Sequence, residues 1–182
     1  MRRLLPLSGL ILGVLCQSAF AQQAKPQPLA RLITALTPVT SRPVSSAPVQ
    51  PNDIEKRAFD ETNVMRVQNG LPPLVWDSDV CRMARTHSES MSRLGYFSHE
   101  TPDGLRLRDR AREAGILQFA VLGENIAYNQ GYDDPGTFAV EKWMTSAKHR
   151  ANILSPEFRA MAIGSFVAPD GSVYLTQTFI TR

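Results

Sequence analysis

The chain has 182 residues, a formal charge of +3 and an isoelectric point near 9.1, a size that suits one domain with appendages. The positive charge sits at one end: residues 1–52 carry five bases and no acid, leaving fifteen bases against seventeen acids in the remainder. A body this close to neutral offers no basic face to a phosphate backbone, which excludes nucleic acid as a partner.

Arg2-Arg3, the short apolar run of Leu10 to Leu15 and the Ala19-Phe20-Ala21 sequence form the pattern of a secretory signal peptide over residues 1–21. Pro6, Ser8 and Gly9 interrupt the run, which falls short of the roughly 20 apolar residues of a membrane span. Leu15 stands before Cys16, where a lipoprotein signal needs a small residue, so no lipid anchor is expected. Cleavage after Ala21 leaves a mature chain without a transmembrane segment, secreted or periplasmic, with Cys81 as its single cysteine. Such a chain forms no internal disulfide and depends on a core.

Six prolines among Gln, Ser, Thr and Ala mark residues 22–52 as an extended linker, because this composition buries too little apolar surface to offset ordering entropy. The domain proper is residues 53–182, long enough to bury about two-thirds of its unfolded surface. Asn52 or Asp53 caps a first helix that stops before Gly70, and Pro72-Pro73 forbid its continuation. Asp77 or Ser78 caps a second helix. Its positions Val80, Met83, Ala84, His87, Met91 and Leu94 form one stripe on a 3.6-residue period, closed by Gly95. His87 on that stripe reads as a hydrogen-bonded core histidine.

A short helix follows from about Leu105 to Ala114, with Arg106, Arg108, Arg110 and Arg112 read as a solvated, ion-paired surface. Asp134-Pro135 starts a further helix with the stripe Val140, Trp143, Met144 and Ala147, and His149 falls where that helix is expected to end. The runs "MAIGSFV" and "VYLTQTFI" around "APDGS" predict a closing β-hairpin. Helices first and a hairpin last indicate an α+β fold.

The usual chemical motifs are missing. "HETPD" at residues 99–103 begins like a zinc helix, but its fifth position is Asp103 and Pro102 blocks the helix that would align two ligands. No G-x-S-x-G, Walker or G-x-G-x-x-G motif and no C-x-x-C occurs. Three polar stretches read as loops of unusual composition: "GYFSHETPDG", "GENIAYN" and "SAKHRANIL". In the second, Glu124 lies between Leu122 and Ile126. An unpaired buried carboxylate costs several kcal/mol, so Glu124 needs a partner, and His99 and His149 are the candidates.

"RVQNGLPPLVWD", "ARTHSESM", "YFSHETPDG", "GENIA", "EKWMTSAKHRANIL" and "IGSFV…YLTQTF", in this order over about residues 54–181, resemble the CAP superfamily, which includes the cysteine-rich secretory proteins, in its compact bacterial-type branch. The resemblance implies a three-layer α-β-α sandwich with a central antiparallel sheet. It also implies a central polar cleft, which in many members is lined by two His and two Glu and in some binds zinc or another divalent cation. Carried onto this chain, the first His is His99, the first Glu is Glu124 and the second His is His149. The second Glu position holds Ser146, so the carboxylate that would act as general base is missing there.

Two imidazoles and a carboxylate are suitable zinc ligands with a place left for water, whose pKa zinc lowers toward 7. The same residues also form a plain hydrogen-bonded cluster, and Ser98 and Ser146 near candidate bases leave a nucleophile open. No catalytic residue is assigned. The expectation is an exported monomer that binds a small molecule, lipid, cell-wall component or protein, or a divalent metal, at the cell envelope or outside the cell. The alternative is a metal-dependent hydrolase of extracellular or envelope polymers. Asn63, Arg66 and Asn125 are expected to satisfy loop backbone, Trp76 and Trp143 to anchor the core, and Tyr96, Phe97 and Tyr128 to pack in it or line the cleft.

Overall fold

The computed structural model describes residues 47–182; residues 1–21, read above as a signal peptide, and residues 22–46 of the expected linker lie outside the described residues. Residues 47–50, read as linker, lie against the domain. Val49 O accepts the Trp76 indole N–H at 2.9 Å, Val49 N donates to Ser78 Oγ at 3.1 Å, and the Ala47 and Gln50 carbonyls accept from Arg82 and Arg85.

Helix α1 spans Asp53–Gln68 and opens with a capping box: Asn52 Oδ1 accepts from Glu55 N while Glu55 Oε2 accepts from Asn52 N, both at 2.9 Å. Glu55 is fully buried, and its carboxylate also takes Arg85 Nε at 2.7 Å and Ser165 N at 3.0 Å. One acid therefore caps α1 and joins it to two neighbouring elements.

Strand β1 is Val75–Trp76, and α2 spans Ser78–Leu94, capped by the Asp77 side chain and closed by Gly95 at φ 66°. The expected stripe is buried from Val80 through Met91, while Leu94, in the last turn, is exposed. Helix α3, Leu107–Glu113, is a turn shorter than expected. Strand β2 spans Val121–Gln130, and helices α4 (Pro135–Thr145) and α5 (Ala147–Ile153) follow. Strands β3 (Ala160–Val167) and β4 (Ser172–Thr181) form the expected hairpin.

The four strands make one sheet in the order β1-β3-β4-β2, antiparallel except for the short parallel pairing of β1 with β3. Alternate residues serve opposite cores. Met161, Ile163, Leu175 and Phe179 point to α1, α4 and α5, while Ala162 and Ile180 point to α2 and α3. This is an α-β-α sandwich. α2 lies very close to β3: a Cβ at Gly164 would be 2.1 Å from Arg85 N, and Ser88 Oγ donates to Gly164 O at 2.8 Å.

β2 is the correction to the reading of "GENIAYN" as a loop. It is a ten-residue edge strand on which Glu124, Asn125 and Asn129 each bond within the protein, Asn129 Oδ1 alone being buried without a partner. Its outer edge is sealed in part from α4 and α5: Trp143 Nε1 donates to Ile126 O at 2.9 Å and Asn152 Nδ2 donates to Glu124 O at 3.1 Å. Covering an edge in this way protects it from pairing with another chain, and it brings α5 to the side of Glu124.

Candidate functional site

Strand alternation puts Glu124 on the face of β2 that looks toward α2 and α3, opposite Thr178 of β4. Its side chain is only 4% exposed, and both oxygens are engaged. Oε2 accepts from Arg110 Nη2 at 2.7 Å, and Oε1 meets His99 Nδ1 at 2.9 Å. Arg110 is itself 8% exposed, so the two opposite charges meet with little water between them.

Arg110 is the residue that the sequence reading missed. Of the four arginines taken as solvated, Arg110 lies on the inner face of α3, next to the buried Ala111. A signal for this exists in the chain: Leu107, Ala111 and Ala114 stand at i, i+4 and i+7, and Arg110 at i+3 falls on their stripe. Arg110 Nε and Nη1, with Thr178 Oγ1, are buried without a protein partner.

His99 stands on the loop after α2, its side chain 55% exposed. A carboxylate only accepts, so Nδ1 carries the proton in the Glu124 contact, and Nε2 is left free of it. His87 steadies that loop from beneath. Its Nε2 lies 3.0 Å from Ser98 O, donating to it, and the Tyr96 hydroxyl, which also meets Ser90 Oγ at 3.0 Å, sits 3.4 Å from Nδ1. Burial first, and then the charge of Arg110, hold the His87 ring neutral with its pKa pushed down to about 4. This is the core histidine expected, and it carries the backbone next to His99.

His149 does not end α4. That helix stops at Thr145, Ser146 serves as the last cap of one helix and the first of the next, and His149 sits in the first turn of α5. Ser146 is half-buried and its hydroxyl caps neither helix. The His149 ring is half-buried; burial lowers its pKa, followed by the charges of His99 and Lys148.

A buried polar chain fixes α5. Gln177 Nε2 donates to Thr62 Oγ1 at 2.8 Å, Asn125 Nδ2 donates to Gln177 Oε1 at 2.8 Å and to His149 O at 3.2 Å, and Asn152 donates to Asn125 Oδ1 at 2.9 Å. Asn63, Arg66 and Asn125 all bind backbone, as expected: Asn63 exchanges two bonds with Leu74, and Arg66 reaches the carbonyls of Pro72, Ile153 and Ser155.

Of the three expected ligands, the structure brings His99 and Glu124 into contact. Among the described residues no group of three His, Cys, Asp or Glu side chains is placed to hold a metal ion. Glu124 is committed on both oxygens, one of them to a guanidinium. Its place is behind His99, orienting the ring, an arrangement in which a carboxylate supports a ligand instead of being one. A shallow hollow of about 340 Å³ on α1, lined by Asp60, Asn63, Val64, Val67 and Gln68, shares no residue with this cluster.

Comparison with known proteins follows the same chain segment. The family described as "CAP: Cysteine-rich secretory protein family" matches residues 59–179. An uncharacterized membrane protein of Bacillus subtilis (strain 168), YlbC, is 41% identical over 128 residues, covering 70% of this chain and 34% of the relative. A second uncharacterized protein from the same strain, YkwD, is 35% identical over 138 residues, covering 76% of this chain and 51% of the relative. The chain thus spans about a third to a half of the relatives it matches. The crystal structure of an extracellular protein containing a SCP domain from Bacillus anthracis str. Ames is similar with a TM-score of 0.62 at 33% identity, covering 75% of this chain and 45% of that one.

Proposed function

The chain belongs to the CAP (cysteine-rich secretory protein) family, and on that premise we propose that it is an exported, non-enzymatic binding domain that works at the cell envelope or outside the cell. Its ligand is held by the outward nitrogens of His99 and His149. The observation that carries this reading is the double engagement of Glu124 by Arg110 and His99. A hydrolase built on these residues needs a carboxylate free to take a proton from water. Glu124 is occupied, and the second carboxylate position holds Ser146. What Glu124 supplies is an imidazole anchored through Nδ1, which leaves Nε2 for the ligand, and in this reading His149 is the second contact.

Such a pair suits a hydrogen-bond-donating ligand. It also suits a divalent cation bound loosely and exchangeably, because zinc or a similar ion would find two imidazoles and no third protein donor. Export is supported by the signal-peptide pattern of residues 1–21 and by the extracellular description of the similar Bacillus anthracis protein. Among the described residues, no helix is long and apolar enough to cross a membrane.

The test is calorimetric titration with zinc, run beside a turnover screen on peptidoglycan, peptides and esters. The expected result is weak, saturable zinc binding that disappears in His99→Ala/His149→Ala, with no turnover of any substrate. Turnover that Glu124→Gln abolishes would overturn the non-enzymatic reading, and zinc heats unchanged in the double variant would overturn the role of the imidazoles.

A further inference from the structure

β2 and β3 both run antiparallel to β4, so both finish at the end of the sandwich closed by the β3–β4 turn, with Gln130 opposite Ser172 and Val167 opposite Val173. α2 finishes there too, since Arg93 lies 5.6 Å from the Phe166 ring centre. Five of the nine exposed large hydrophobic side chains among the described residues gather at this end: Leu94, Phe97, Tyr128, Tyr132 and Val167. Leaving such groups in water forgoes burial energy, and a cluster of them marks an interaction surface.

The aromatic members are organised in a row. Phe97 meets Tyr128 edge-on at 6.5 Å, Tyr128 meets Tyr174 edge-on at 5.0 Å, and Tyr174 pairs across the strands with Phe166. Phe97 and Tyr128 remain 52% and 47% exposed, so the row offers ring surface that its own contacts hold rigid. Tyr128 shares the Glu124 face of β2, and Phe97 is two residues before His99, so the row adjoins the imidazole site.

We propose that this aromatic row is a binding platform for the pyranose rings of a glycan. Rigid, half-exposed rings stack on the apolar C–H face of a sugar, while nearby carboxylates and amides accept or donate to its hydroxyls. Those polar groups are present at the rim: Asp170 is near enough for its charge to bear on Tyr174, and the Gln130 amide bonds to the Asp170 carbonyl at 2.8 Å. The charge at this end separates a sugar from a membrane. Asp133 adjoins Tyr132 in the chain, Asp170 stands in the β3–β4 turn, and one cation, Lys142, lies 5.1 Å from the Phe138 ring that stacks on Tyr132, while Glu89 and Asp134 are already paired with Arg93 and Arg57. A surface with this acid excess repels anionic headgroups, which are attracted by clusters of Lys and Arg. It leaves a neutral, hydroxyl-rich partner well matched.

The experiment is cosedimentation of the purified chain with insoluble peptidoglycan, paired with NMR titration by soluble N-acetylglucosamine oligomers. Wild type is expected to bind at least one of these probes, Phe97→Ala and Tyr128→Ala each to weaken binding about ten-fold, and Tyr128→Trp to keep it. Both side chains are half exposed, so melting temperatures should not move. Zinc heats should persist in Phe97→Ala/Tyr128→Ala, which keeps this platform distinguishable from the imidazole site. Failure to bind either probe, or binding that survives the double replacement, would overturn the proposal. Cosedimentation with phosphatidylglycerol vesicles instead of glycan would overturn it too, assigning the row to a lipid surface.

Discussion

Arg110→Met removes the buried cation behind Glu124 while keeping much of the side chain's apolar volume. Glu124 is then a carboxylate 4% exposed, left with His99 alone. Breaking a buried ion pair by deleting one partner costs about 3–5 kcal/mol, and the surviving His99 bond puts this case at the lower end, about 3 kcal/mol. For a domain of this size that corresponds to a fall in melting temperature of about 10 °C. Glu124→Gln alone should cost a similar amount, because it strands a guanidinium already missing partners at Nε and Nη1. The double variant Arg110→Met/Glu124→Gln should then cost clearly less than the sum, giving a coupling of about 2 kcal/mol or more in a double-mutant cycle. Urea unfolding followed by circular dichroism supplies the four values, and added salt should change the coupling little, because buried pairs are poorly screened. Additive losses, or a single-variant cost below about 1 kcal/mol, would refute the claim that this pair is desolvated and organises the site.

His87 predicts an acid-side loss of stability: the unfolded ring takes up a proton near pH 6.5 and the folded ring only near about 4, so stability is full above 6.5 and falls as pH drops toward 4. The difference, about 3 kcal/mol, should appear in denaturant unfolding of wild type and be missing in His87→Gln. Gly164→Ala drives a methyl group into the α2 backbone, 2.1 Å from Arg85 N and 2.2 Å from Ala84 C, and should cost about 3 kcal/mol or prevent folding. A melting temperature within a few degrees of wild type would contradict the close seating of α2. Cys81 is fully buried and burial pushes its thiol up to about 12, so iodoacetamide at pH 8 should leave it unmodified until denaturant is added, as read by peptide mass spectrometry.

The helices were legible because their ends are written in local chemistry: Asn52 with Glu55, Asp77 with Gly95, and Asp134 with Pro135 each set a boundary that short-range rules describe. The β3–β4 hairpin was legible for the same reason. β2 was not, because Glu124, Asn125 and Asn129 make a strand look like a polar loop. Their hydrogen bonds to Arg110, Gln177 and Pro135 lie 6 to 52 residues away in the chain, beyond any local pattern. The break at Ser146 was also hidden. The capping residue sits between two helical stretches that read as one amphipathic run, so His149 was placed at an end when it belongs to a beginning. His99 and Glu124 were correctly sensed as partners, since a carboxylate among apolar neighbours demands one. The identity of its stronger partner was lost because alternate arginines on a short helix look solvated. Only the register with Leu107 and Ala111 singles out Arg110.

The central claim is that Glu124 holds His99 in one tautomer, proton on Nδ1 toward the carboxylate and lone pair on Nε2 toward solvent. Nitrogen-15 NMR of the histidine side chains, recorded at a pH where the ring is neutral, reads this state directly. The account predicts a His99 spectrum with a protonated Nδ1 and an unprotonated Nε2, reverting to a tautomer mixture in Glu124→Gln/Arg110→Met. A proton found on Nε2 in the wild type, or two nitrogens averaged as in free imidazole, would contradict it.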